Sequence, residues 1–221
     1  MGYTGRLLGT MIMILVILMI RIYAYLYLDY SWMNLPIPGI IAVGFVYWSG
    51  KKYDEVKFYS EKDELTGMYN RRFIQKSMPM ILQNAKKLHD NLGIILIDCN
   101  DFKVINDTYG HAKGDLVLQK IAEIFKLLLE TNDIAARWGG DEFLAILHRD
   151  KFDDIYAWNE KIAEYMSVLS RQLGFSVTLS AGISLYPQDG SEFDYLVFIA
   201  DKDMYAHKER QKDHNLYNVH R

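Results

Sequence analysis

The first fifty residues carry three charges, Arg6, Arg21 and Asp29, while Lys51 to Arg221 hold all the others. Within that segment Leu7 to Leu28 reads LLGTMIMILVILMIRIYAYLYL, 22 residues interrupted by Arg21 alone. A helix of about 20 apolar residues spans the hydrocarbon core of a bilayer, so this stretch predicts a transmembrane helix. Arg21 lies in its C-terminal third, from which a long side chain snorkels to the interface. Tyr23, Tyr25, Tyr27 and Trp32 have the placing of an interfacial aromatic belt. After a polar break at Asp29-Tyr30-Ser31, the stretch Leu35 to Gly50 predicts a second, shorter span that opens on Pro36 and Pro38, where proline is tolerated. The first run is long for a cleaved leader and no small-x-small site follows it. Arg6 before the first span and Lys51-Lys52 after the second put both ends in the cytoplasm by the positive-inside rule.

The formal net charge of −3 argues against a non-specific nucleic-acid binder. A single cysteine, Cys99, excludes an internal disulfide and any cysteine-built zinc site. Beyond the short polar connector at 51–62, which is expected to be helical, the pattern is that of one α/β domain over 63–221. The run Gly93-Ile94-Ile95-Leu96-Ile97 marks a central buried strand. Helical spacing covers Asn70 to Asp90, Leu116 to Leu129, Phe152 to Leu173 and Ser191 to Lys212. Ile134 to Arg137 and Phe143 to Leu147 flank Gly139-Gly140 as a hairpin, and Val177 to Ser184 is a further strand. Helices alternating with strands in this way pack over the faces of a sheet.

Acidic residues gather where that sheet ends. Asp98 closes the buried strand, and Asp141-Glu142 sit at the hairpin turn. Like charges so placed raise one another's pKa, and a divalent cation relieves the conflict. Hard oxygen ligands select Mg²⁺ or Mn²⁺, and magnesium shared with phosphates makes a nucleotide the natural companion. Gly139-Gly140 is expected to take positive φ and admit a ligand to the main chain. Lys208 and Lys212 stand four apart on the last helix, on one face with Asp201 and Tyr205, and could clamp phosphates. Taken singly, each of these features also fits a solvated turn or a basic stripe.

Four motifs in order separate these readings. Asp63-Glu-Leu-Thr-Gly-Met-Tyr-Asn-Arg-Arg72 matches DxLTGxxNRR, and Phe102 to Asp115 matches FKxINDxxGHxxGD. Gly139 to Phe143 spells GGDEF, and Ala200 to Lys208 matches ADxxMYxxK. From Asp63 to Asn215 the chain resembles the GGDEF family of diguanylate cyclases, here with a membrane anchor. The resemblance implies a palm-like fold of the nucleotide-cyclase type, a five-stranded sheet flanked by helices, preceded by the two-helix membrane segment of residues 1–50. It implies condensation of two GTP into cyclic di-GMP with release of two pyrophosphates, across a homodimer in which each domain holds one GTP. The expected location is the bacterial inner membrane, with the catalytic domain in the cytoplasm.

Residue by residue, the resemblance implies metal ligation by Asp98, Asp141 and the carbonyl of Cys99. Asn106 and Asp115 would read the guanine edge with His111 close by. The backbone at Asp101 and Phe102 would cradle the terminal phosphates, with Lys208 and Lys212 as their basic pair and Lys103 neutralising charge. Glu142 would assist loss of the ribose 3′-hydroxyl proton, with Asp141 the alternative base. Three departures stand out. Asn100 replaces a usual Asp, which removes a charge near the metal and would weaken a second ion. Asp101 replaces a frequent His and partly returns that charge. Glu130 stands where the RxxD product-inhibition motif has Arg, and an acid does not bind phosphate as Arg does, so no feedback inhibition is expected there. The alternative to an active cyclase is a catalytically silent GTP-binding regulatory module.

Overall fold

The structure is a computed structural model that describes residues 4–29, 31, 37–149 and 152–219. Trp32 and the start of the second apolar stretch, 35–36, lie outside the described residues, as does the side chain of Lys212. The chain divides into two compact units, one ending at Glu61 and the other beginning at Lys62.

The first unit is an antiparallel pair of helices, α1 (Thr4–Tyr27) and α2 (Ile37–Glu61). Glycines line the contact and let the two backbones close up. A methyl group on Gly50 would sit 2.6 Å from the Cα of Arg6, and one on Gly39 would sit 3.2 Å from Ile17. Small residues at such crossings are how helices pack where apolar burial drives nothing. The Arg6 amide donates to Asp54 Oδ2 at 3.3 Å, so Arg6 and the charged half of α2 lie at the same end of the pair. The outward faces are apolar and exposed, among them Met19, Leu26, Ile41 and Phe45.

The second span expected from the sequence is corrected here. Among the described residues one helix, Arg6–Tyr27, is long and apolar enough to cross a membrane. The apolar part of α2, residues 37–50, extends about 21 Å at 1.5 Å per residue, short of a hydrocarbon core of about 30 Å. The helix then runs on unbroken to Glu61 through Lys51, Lys52, Asp54, Glu55 and Lys57. The connector is therefore the second half of α2 rather than a separate element.

The second unit is a five-stranded sheet in the order β1-β3-β4-β2-β5. Its strands are β1 (Tyr69–Asn70), β2 (Asn91–Cys99), β3 (Ile134–Arg137), β4 (Glu142–Arg149) and β5 (Leu179–Tyr186). The pairing is antiparallel except between β1 and β3. The apolar run of β2 lies inside the sheet between β4 and β5, buried on both faces. Its Leu92, Ile94 and Leu96, with Leu144 and Ile146 of β4, pack under α3 (Arg71–Leu88) and α7 (Phe193–Val219). Its Ile95 and Ile97, with Phe143, Ala145 and Leu147, pack under α5 (His111–Leu128) and α6 (Phe152–Leu173). The alternation of a two-residue period thus gives two cores, one per face.

The elements depart from the sequence reading in places. A short helix, α4 (Phe102–Tyr109), precedes α5 and was not expected. The last strand begins at Leu179 rather than Val177, because the N–H of Val177 is taken by Ser170 Oγ at 2.9 Å. Gly182 in β5 lies directly beneath α7, where a methyl group would sit 2.0 Å from Ala200 O. That contact fixes the helix closely over the sheet.

Candidate active site

The register of β2 and β4 pairs Asp98 with Glu142 across the sheet. Both side chains point to the α7 face, the same side as Leu96 and Leu144. Asp141 immediately precedes Glu142, and its carbonyl accepts the N–H of Cys99 at 3.1 Å. From α7, Lys208 Nζ reaches Asp98 Oδ1 at 2.7 Å. Two of the four sequence motifs, with Asp98 of the buried strand, therefore meet at one end of the sheet.

The electrostatics of this corner are those of too many carboxylates. Burial pushes the Asp98 carboxyl above its ordinary value, the Lys208 hydrogen bond and charge pull it back, and Asp141 adds to the rise. Glu142 is also raised, first by burial and then by the charges of Asp98 and Asp141, with Lys208 opposing and Asp201 of α7 adding to it. One lysine does not compensate the group. This donor set of hard oxygens fits a divalent cation such as Mg²⁺ or Mn²⁺. Among the described residues no three His, Cys, Asp or Glu side chains converge as a metal cage. Cys99 is buried and its thiol is pushed up to about 12, mainly by burial, so only its backbone carbonyl is available to such an ion.

The turn carrying Gly139 and Gly140 differs from expectation. The positive-φ glycines among the described residues are Gly67, Gly110 and Gly174, and neither Gly139 nor Gly140 is among them. Glycine at 139 answers to space instead, since a methyl group there would sit 2.5 Å from Glu142 Oε2. The carbonyl of Glu142 accepts the N–H groups of Trp138 at 2.8 Å and Gly139 at 3.2 Å, closing the turn. The Gly140 carbonyl accepts from Arg137 Nε at 3.0 Å and Nη2 at 2.6 Å. The same guanidinium holds Asp63, with Nη1 at 3.2 Å from Oδ2. Asp63 in turn accepts from the amide and the hydroxyl of Thr66. Asp63 and Arg137 thus brace the turn, a role the sequence reading did not assign. Asp63 opens a quoted motif and Arg137 stands two residues before another, but nothing in linear sequence pairs residues so far apart.

On the opposite face of the sheet lie the α4 and α5 residues read as substrate contacts. Asp101 takes φ +52° and opens α4, and its side chain makes no capping hydrogen bond. The first-turn N–H groups, including those of Phe102 and Lys103, are thereby left to other acceptors. Asn106 lies over Gly114, where a methyl group would fall 2.0 Å from Asn106 Oδ1. Gly110, at φ +83°, turns the chain from α4 into α5, which His111 opens. Lys103, His111 and Asp115 are exposed. Asn100 is turned to β5, where its Oδ1 accepts from Ser180 Oγ at 2.7 Å and its Nδ2 donates to Thr178 Oγ1 at 3.1 Å.

At the far end of β4, Glu130 and Asp133 are held by Arg149. The guanidinium meets both oxygens of Asp133 at 2.8 Å and lies 3.4 Å from Glu130 Oε1. The carboxylate of the RxxD-like segment is therefore enclosed in an internal ion pair.

Comparison with known proteins agrees with this geometry. Relatives include diguanylate cyclase A of Treponema denticola, 38% identical over 135 residues that make up 60% of this chain and 36% of that protein. Diguanylate cyclase TpbB of Pseudomonas aeruginosa is 32% identical over 172 residues, 75% of this chain and 40% of that one. The chain spans less than half the length of the relatives it matches by sequence. Among solved structures, the GGDEF domain of TpbB (YfiN) from Pseudomonas aeruginosa superposes with a TM-score of 0.62 at 34% identity, covering 67% of this chain and 89% of that domain. The GGDEF domain of DgcB from Caulobacter crescentus, solved with c-di-GMP, gives 0.61 at 26% identity, covering 68% and 91%. Residues 60–214 match the family described as diguanylate cyclase, GGDEF domain, and with the carboxylate corner and its braced glycine turn in place, the chain belongs to that family.

Proposed function

We propose that this chain is an active diguanylate cyclase that condenses two GTP into cyclic di-GMP and two pyrophosphates. The observation that carries the proposal is the pairing of Asp98 with Glu142 across β2 and β4, with Lys208 2.7 Å from Asp98. In each of two steps a ribose 3′-oxygen attacks the α-phosphate of the other GTP and expels pyrophosphate. Glu142 assists loss of the 3′-hydroxyl proton. Its raised affinity for a proton suits that task, and Asp141 is the alternative base. Lys208, Lys212 and Lys103 offset charge on the phosphates, and the uncapped N–H groups at the start of α4 receive phosphate oxygens. Asn106 and Asp115 hold the guanine edge, with His111 beside them.

Mg²⁺ or Mn²⁺, held by Asp98, Asp141 and the carbonyl of Cys99, would supply stabilisation of the charge that builds on the reacting phosphate. The rest is positioning, because phosphoryl transfer asks little covalent chemistry of the protein. One domain holds one GTP, so two copies must face each other as a homodimer. Residues 63–221 form the catalytic domain, and 51–62 the connector. The apolar helix Arg6–Tyr27 anchors it to the inner membrane, with the catalytic domain on the cytoplasmic side. Concentrating copies in one plane favours their meeting.

A second reading, a silent GTP-binding regulatory module, draws on Asn100, whose amide is tied to Thr178 and Ser180 where the family places a carboxylate. Purified full-length protein in detergent, incubated with GTP and Mg²⁺, separates the two by chromatography of the nucleotides. Cyclic di-GMP made by wild type and lost in Asp98→Ala and Glu142→Gln supports the cyclase. GTP bound without product, at protein concentrations where the chain is dimeric, supports the silent module.

A further inference from the structure

The residues read as holding the guanine edge sit on a corner with few anchors. Of α4, Ile105 alone is buried, and Phe102 packs partly against the core. Both lie toward its sheet-facing side and its start. At its other end stands Tyr109, 47% exposed and followed by the Gly110 turn. The Tyr109 ring is stacked on Phe175, with centroids 4.2 Å apart and planes 16° from parallel.

Phe175 is presented by a fixed support. It follows Gly174, whose φ of +78° ends α6 and whose N–H is held by Ser170 O at 3.0 Å. Two residues later the N–H of Val177 is held by Ser170 Oγ at 2.9 Å, and the Val177 side chain is buried. The loop is therefore pinned on both sides of Phe175. One helical turn before Tyr109 lies Asn106, whose carbonyl accepts the Gly110 N–H at 2.9 Å and whose side chain lies over Gly114 at the start of α5. The stack thus ties the turn joining Asn106 to Asp115 onto the α6–β5 loop. The carboxylate corner faces α7, on the other side of the sheet.

We propose that the Tyr109–Phe175 stack is a positioning clamp that sets how tightly and how selectively the α4–α5 corner holds a guanine nucleotide, without acting on the phosphoryl chemistry. The proposal rests on the reading of Asn106 and Asp115 as guanine contacts. Neither aromatic touches the reacting atoms in it. Their effect passes through the angle and mobility of α4.

The test uses the full chain in detergent, with calorimetric affinities for GTP and for ITP, which lacks the exocyclic 2-amino group, and with KM and kcat for product formation. Phe175→Ala should weaken GTP binding and raise KM about three- to tenfold, the range expected for loss of one aromatic pair. It should leave kcat within about twofold and shrink the preference for GTP over ITP. Phe175→Tyr keeps a ring in place and should restore all three values. A Phe175→Ala chain with wild-type affinity and selectivity overturns the clamp, as does one whose kcat falls while KM holds. Asn106→Ala separates the clamp from its premise. If that variant binds GTP and ITP as wild type does, the guanine assignment fails and the clamp with it. If Asn106→Ala loses selectivity while Phe175→Ala does not, the clamp alone is refuted.

Discussion

Gly182 is the position where a single methyl group should do most to the second unit. A Cβ there would fall 2.0 Å from Ala200 O and 2.2 Å from Met204 N. These atoms stand four residues apart on α7, so the methyl would press on a backbone hydrogen bond of the helix rather than on a yielding side chain. Carbon and oxygen normally approach to about 3.3 Å, so α7 must lift by about 1.3 Å. Overpacking costs roughly 1–3 kcal/mol, and two opposed backbones place Gly182→Ala near 3 kcal/mol. At about 2–4 °C per kcal/mol for a domain of this size, the melting temperature should fall by roughly 6–12 °C in scanning calorimetry. The same lift draws Lys208 from its 2.7 Å contact with Asp98 and Asp203 from the Ile183 N–H at 2.9 Å, so cyclase activity should fall with stability. Gly140→Ala, with nothing within 4 Å of the added carbon, serves as the thermal control. A Gly182→Ala protein melting within about 2 °C of wild type would falsify the claim that α7 rests backbone-on-backbone against β5.

Gly114→Ala should leave the fold intact but turn Asn106 away, since its Oδ1 lies 2.0 Å from the added carbon. GTP affinity measured by calorimetry should drop about tenfold or more, the scale of a hydrogen bond left unmade, and unchanged affinity would count against Asn106 as a ligand contact. Glu142→Gln should melt above wild type at pH 7.5 in EDTA. Burial and the charges of Asp98 and Asp141 raise the folded-state pKa of Glu142, so its ionised form destabilises the fold. Stability is therefore lost as pH rises through that raised value, and the gap between variant and wild type should close below about pH 4, where the carboxyl is protonated in both states. A gap that widens toward acid would reverse the assignment. Arg149→Ala strands the Asp133 carboxylate, whose side chain is 0% exposed, and should cost about 3 kcal/mol in urea unfolding. Because Arg149 keeps Asp133 occupied, added cyclic di-GMP should not lower the initial rate of GTP consumption, and a dose-dependent fall in that rate would show that the site is open.

The buried strand β2, the flanking helices and the carboxylate corner are legible because each is written locally, although β4 rather than β2 is the middle strand. The run from Gly93 to Ile97 has no home but a sheet interior, and Asp98 follows it directly. What escaped the sequence depends on contacts across the chain. Helix α4 is eight residues long, too short for a periodic pattern to distinguish it from a loop. The N–H of Val177 is taken by Ser170 Oγ, seven residues before it, and that delays β5. Gly139 was read through backbone freedom, whereas the structure uses its lack of a side chain to seat Glu142. Apolar character alone makes the second stretch look like a span, but α2 carries its charges in the same helix. Asp63 and Arg137, whose pairing braces the glycine turn, are 74 residues apart. No spacing rule joins them.

The two margins of the sheet bear on how copies of this chain can meet. An open strand edge is adhesive, offering a row of unpaired amides and carbonyls to another chain. Here one margin is β1, two residues long. Along the other, β5, the N–H of Ile183 is taken by Asp203 and that of Leu185 by Asp189. The carbonyl of Ala181 meets His207 Nδ1 at 2.9 Å, and that of Leu185 accepts from the Asp189 amide. The proposed function brings two domains face to face and needs an encounter that ends when product leaves. With both margins blunted, strand-to-strand annealing is discouraged, and association is left to surfaces that can part again.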